Sequence, residues 1–126
     1  MVDADVAVFS PVAVSAHALF LTPFFGAAVA GLNWIAVGRP ERAARTVGIG
    51  AVVTVFAAIA ALKFVPAYFG LALLFAVILY LDQSMLRKHW PELPTAGVLS
   101  NLMLAACFFA ALSGAVVIVW LILILL

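Results

Sequence analysis

The chain has 126 residues, 69% of them hydrophobic and only 9% charged, with a net charge of +1. Soluble domains run about 45–50% apolar and about 25% charged, so a soluble fold of this length is excluded. The charge balance leaves no basic footprint for nucleic acid, and a single cysteine, Cys107, excludes an intrachain disulfide.

The charged residues sit between four charge-free stretches, 6–38, 46–62, 64–81 and 93–126. An ionised side chain at a bilayer centre costs roughly 2.5–3.5 kcal/mol even on the lenient insertion scale, so such stretches read as spans. The pattern predicts an all-α membrane protein, one transmembrane domain over residues 1–126. Four transmembrane helices in an antiparallel bundle are expected, at about 11–37, 43–65, 66–89 and 95–125.

The N-terminus carries Asp3 and Asp5 and no basic residue, which reads as a retained first span rather than a signal peptide. Pro11 suits the first turn of helix 1, where its missing N–H is no loss. Pro23, near the middle, should kink the helix or mark a local widening. Gly26, Ala30 and Gly31 supply small residues at helical spacing for close backbone approach.

His17 lies about two turns inside helix 1. One reading is a structural histidine bonded to a carbonyl or a neighbouring helix. The other is a ligand or a proton relay. Ala13, four residues earlier, gives an Ala-x-x-x-His spacing that resembles an element of bacterial light-harvesting polypeptides. That resemblance implies bacteriochlorophyll, or by the same chemistry haem, on His17. No other cofactor or metal site is predicted. Asn33 near the end of helix 1 and Asn101 early in helix 4 lie at similar expected depth, where they could pair across helices or line a polar path.

Helix 2 opens with Glu41, Arg42 and Arg45 and carries Gly48 and Gly50 near its first turns. Helix 3 opens at Pro66 and runs to about His89, with Pro91 and Pro94 ending it. Asp82, His89 and Glu92 read as a solvated face. Pro23-Phe24-Phe25-Gly26 has an echo in Pro66-Ala67-Tyr68-Phe69-Gly70, which leaves a two-helix repeat open. Helix 4 puts Ala106, Ala110 and Gly114 on one face and is longer than a ~30 Å hydrocarbon core needs.

Arg39, Arg42 and Arg45 flank the first loop, and Arg87 and Lys88 flank the third. The opposite side has only Lys63. That bias places both loops in the cytoplasm and both termini on the outer, periplasmic or extracellular side. The same five basic residues are candidates for anionic lipid headgroups.

Asn33-Trp34 followed by Gly38-Arg39-Pro40-Glu41-Arg42-Ala43 resembles a stretch in uncharacterised small four-span bacterial membrane proteins. The resemblance implies a bacterial origin and no particular activity. Small multidrug resistance transporters are of similar size, but helix 1 lacks their membrane glutamate. Fluoride channels of dual topology are also similar in size, but their glycine-rich, arginine-containing first-helix motif is absent and the charge bias opposes dual topology.

The expected function is therefore not enzymatic. It is that of an accessory or structural subunit of a larger complex in the bacterial inner membrane, energy-converting, photosynthetic or transport, with other membrane subunits and lipids as partners. A small oligomeric transporter or channel, and a pigment- or haem-binding subunit through His17, are the alternatives.

Overall fold

The computed structural model describes residues 8–91, 93–95 and 97–126, the last from backbone alone over 98–100. Asp3, Asp5 and Glu92 lie outside the described residues. Among the described residues the fold is all-helical, with five helices: α1 (Pro11–Phe20), α2 (Pro23–Ala36), α3 (Pro40–Lys63), α4 (Val65–His89) and α5 (Val98–Leu125). They fall into two units, Met1–Ala96 with α1 to α4 and Gly97–Leu126 with α5. Among the described residues three helices are long and apolar enough to cross a membrane: α3, α4 and, over Asn101–Leu125, α5.

The expectation of one continuous first helix over 11–37 is corrected. Pro23 does not bend a helix; it starts a new one. Leu21 and Thr22 leave helical geometry, Thr22 adopting φ −152° and ψ 159°. The chain then reverses, because Ala18 near the end of α1 abuts Gly26 near the start of α2. At the other end Phe9, just before α1, bonds to Asn33, near the end of α2. The 10 and 14 residues of α1 and α2 make about 15 and 21 Å of helix, each short of a ~30 Å core. The four-span count therefore gives way to three candidate spans and a helical hairpin.

The same geometry corrects the placement of the N-terminal side. Val8 N–H donates to Pro94 O at 2.9 Å, and Phe9 is held by Asn33. The start of α1 thus sits at the end of the unit that carries the α2–α3 turn and the last turn of α4, among the basic residues rather than opposite them.

The first backbone N–H groups of a helix have no partner within it and must find one elsewhere. The N-terminus of α2 achieves this with short-range chemistry and one distant hydroxyl. Pro23 has no N–H to orphan. Thr22 Oγ1 accepts from Phe25 N–H at 3.2 Å, and Thr22 O from Gly26 N–H at 3.1 Å. Phe24 N–H is taken by Thr54 Oγ1 of α3 at 2.8 Å, while the Thr54 hydroxyl donates to Gly50 O at 2.8 Å. Thr54→Val keeps the shape and removes that acceptor. It should lower stability by about 1–2 kcal/mol, measurable by thermal unfolding in detergent, with Thr54→Ser close to wild type.

Close approach is concentrated at three glycines. A methyl group at Gly26 would lie 2.6 Å from Ala18 Cα and 2.7 Å from its N. One at Gly50 would run into the Ala27 methyl and lie 3.3 Å from Pro23 O, and one at Gly31 would lie 3.0 Å from Val47 Cγ2. Gly26 and Gly31 lie in close contact with neighbouring helices, and Ala30 between them is buried. At Gly48 nothing lies within 4 Å of an added methyl, and Gly50 holds the contact instead. Ser15 of α1 ties the hairpin to α4 through a 2.8 Å bond to Ala76 O.

The α2–α3 turn is a Schellman motif. Arg39 N–H bonds Trp34 O at 2.8 Å and Gly38 N–H bonds Ile35 O at 3.0 Å. Gly38 has φ 80°, a left-handed conformation that a side chain disfavours. Pro40 then opens α3, three residues before the expected start. Phe64 alone joins α3 to α4.

In the second unit, α5 starts at Val98, with Gly97 as its N-cap. It begins three residues after the expected Thr95. Ala106, Cys107, Ala110 and Gly114 are exposed along it.

Candidate functional site

Six polar or aromatic residues of the first unit converge at its basic end. Three elements build the cluster. The last turns of α2 supply Asn33 and Trp34, the first turns of α3 supply Arg42, and the last turns of α4 supply Asp82, Gln83 and Arg87. The Gly38 turn sets the position of Arg42 over Trp34, with the guanidinium carbon 4.2 Å from the ring centroid.

Asn33 is the hub. Only 1% of it is exposed, and Gln83 is wholly buried. The Asn33 Nδ2 group donates to Gln83 Oε1 at 2.6 Å and to Phe9 O at 2.9 Å, and Asn33 Oδ1 accepts from Phe9 N–H at 2.7 Å. The side chain thus mimics a strand edge for the segment leading into α1. Gln83 Nε2 donates onward to Asp82 Oδ2 at 2.9 Å. The same oxygen accepts from Trp34 Nε1–H at 2.9 Å, and Asp82 Oδ1 faces Arg42 at 3.9 Å. One carboxylate is therefore balanced by two N–H donors and one guanidinium.

An apolar layer surrounds this network. Val8, Trp34, Val37, Ala43, Leu86 and Leu93 form its buried cluster, with Trp90 edge-on to Trp34 at 6.5 Å between centroids. Arg87 closes the end by donating to Leu93 O at 2.6 Å and Thr95 Oγ1 at 3.1 Å.

The sequence-predicted residues separate into different roles. Asn33 is at the centre, and its side-chain partner is Gln83. Asn101 belongs to the second unit, where its Nδ2 donates to Gly97 O at 2.9 Å. Asp82, read as part of a solvated face, is an acceptor for two buried donors. His89 is exposed and bonds Met85 O.

His17 is buried in α1, apart from this cluster, with its Nδ1 2.7 Å from Ala13 O. A carbonyl can only accept, so Nδ1 carries the proton there. The Ala-x-x-x-His spacing is realised as this bond back along the helix, and the ring of Phe9 meets the imidazole edge-on at 6.5 Å. Among the described residues no three metal-ligating side chains gather.

The five basic residues also divide. Arg39 pairs loosely with Glu41 at 4.0 Å, both well exposed. Arg87 is committed to the loop after α4, whereas Arg45 and Lys88 are exposed. The polar cluster locks the open ends of a hairpin to two long helices.

Comparison with known protein families, with curated proteins and with solved structures yields no match.

Proposed function

We propose that this protein is a non-catalytic accessory or structural subunit of a larger complex in the bacterial inner membrane. In this reading the α1–α2 hairpin enters from the cytoplasmic, basic side and turns back within the bilayer. The charge bias of the loops supports that orientation, and the Asn33-Trp34…Gly38-Arg39-Pro40 resemblance supports the bacterial setting.

The observation that carries the reading is α5. It holds 28 residues with no charged side chain. Its apolar surface includes the small face of Ala106, Ala110 and Gly114. Small residues let another helix backbone approach closely, the main attraction open to helices in lipid. The polar cluster favours the same reading, because its hydrogen bonds are spent internally on holding the hairpin.

A photo-crosslinking residue at Ala110 tests it in native membranes. The expected result is a crosslink to a different membrane subunit, which also co-purifies in fixed stoichiometry in mild detergent. A homogeneous assembly of this chain alone, crosslinked only to itself, would sink the proposal.

One observation favours the alternative of a small oligomeric transporter or channel. The α2 N-terminus sits at the hairpin tip, as broken helices do in transporters. The Thr54 and Thr22 bonds argue against it, since they occupy the donors a solute would use. Solute flux into liposomes that falls in Asn33→Ala would favour the transporter over the subunit.

A further inference from the structure

A groove of about 150 Å³ runs between α3 and α4 on the basic side of the first unit. Arg42, Arg45 and Thr46 form its mouth. Beyond them the lining is apolar: Ile49 on α3 and Phe75, Ile78 and Leu79 on α4, of which Phe75 and Leu79 are buried. The change from charge to hydrocarbon happens within one turn of α3 and two turns of α4, roughly 10 Å of depth. That is the polarity profile of a phospholipid entering the bilayer. A soluble anion would use the mouth and gain nothing from the apolar lining.

The charges favour an anionic headgroup. Two arginines face one carboxylate, Asp82, at the rim. Asp82 is already engaged by Arg42, Trp34 and Gln83. Among the described residues Arg45 makes no ion pair. Arg39 and Arg87, by contrast, are turned to Glu41 and to the α4–α5 connection.

We propose that this groove binds one anionic phospholipid from the leaflet on the basic side. Its phosphate lies on Arg45 and Arg42, and one acyl chain lies along Ile49, Phe75 and Ile78. This lipid is a bound component of the protein, distinct from the diffuse attraction of a basic loop to the membrane surface. The inference does not depend on the subunit reading.

Native mass spectrometry of the full chain tests it, with phosphatidylglycerol and phosphatidylcholine of identical acyl chains supplied at equal amounts. One phosphatidylglycerol should be retained in clear preference. Arg45→Gln should lower that preference about fivefold, the factor expected for one basic residue near an anionic headgroup. Lys88→Gln, outside the groove, should leave it unchanged. Ile78→Trp crowds the apolar part of the groove without touching the charges and should remove the retained lipid. Both Arg45 and Ile78 are exposed, and a thermal melt confirms that the variants fold. The proposal is overturned if Arg45→Gln and Ile78→Trp both keep the wild-type adduct. It is overturned equally if Lys88→Gln acts as strongly as Arg45→Gln, or if excess inorganic phosphate displaces the lipid.

Discussion

Gly26→Ala should lower the stability of the protein by about 2–3 kcal/mol, near the top of the usual range for overpacking. The reason lies in what the new methyl group meets. Its nearest neighbours include Ala18 Cα and N, at 2.6 and 2.7 Å. Backbone cannot rotate out of the way as a long side chain can, so α1 and α2 must separate. Gly50→Ala should follow the same direction, since its methyl meets the Ala27 side chain and the Pro23 carbonyl. Gly48→Ala, two residues away on the same helix, meets nothing within 4 Å. There the gain from replacing glycine in a helix, roughly 0.5–1 kcal/mol, is unopposed. Unfolding of the three variants in one detergent gives the comparison. Similar losses at Gly48 and Gly26 would mean that the hairpin contact is not what Gly26 serves.

Asn33→Leu should cost about 3 kcal/mol and loosen the segment before α1. Hydrogen bonds between membrane helices average only about 0.6 kcal/mol, because the separated helices find other partners. That figure suits a single bond with replaceable partners. Here one side chain serves Phe9 N–H, Phe9 O and Gln83 Oε1 together. Removing it leaves all three in a buried, apolar layer, and each orphaned group costs roughly 1–3 kcal/mol. Gln83→Leu should cost less, about 1 kcal/mol, since Asn33 keeps Phe9. The double variant should fall well short of the sum, because the Asn33–Gln83 bond is counted in both single changes. Additive losses would indicate two independent sites rather than one network. Hydrogen exchange at the Phe9 amide reports the loosening directly.

Much of this architecture was legible in residue type. The charge-free stretches mark α3, α4 and α5, and Gly38-Arg39-Pro40 gives the turn between α2 and α3. Pro23 was legible as a break but not as a reversal. Residues 11–37 are apolar nearly throughout, so periodicity there has no polar face with which to report a fold-back. Three contacts make the choice: Gly26 with Ala18 eight residues back, Phe24 with Thr54 thirty residues on, and Phe9 with Asn33 twenty-four residues on.

The candidate cluster was half visible for the same reason. Asn33 stood out as an amide in an apolar run. Gln83 and Asp82 did not, because they adjoin the charged end of α4 and look like its aqueous turn. Their partners Asn33, Trp34 and Arg42 lie on other helices, which a helical pattern does not reveal. Thr54 carried a faint signal, as one of only two hydroxyl residues in the 46–62 stretch.

Topology is the point on which the account turns, and cysteine accessibility decides it. Single cysteines at Ser10, Arg39 and Phe64 in a Cys107→Ser background can be labelled with a membrane-impermeant maleimide, in sealed vesicles of each orientation. A hairpin predicts that positions 10 and 39 react from the same face and position 64 from the other. A single crossing helix over 11–37 would put position 10 with position 64, and that result would contradict the hairpin and the network that closes it.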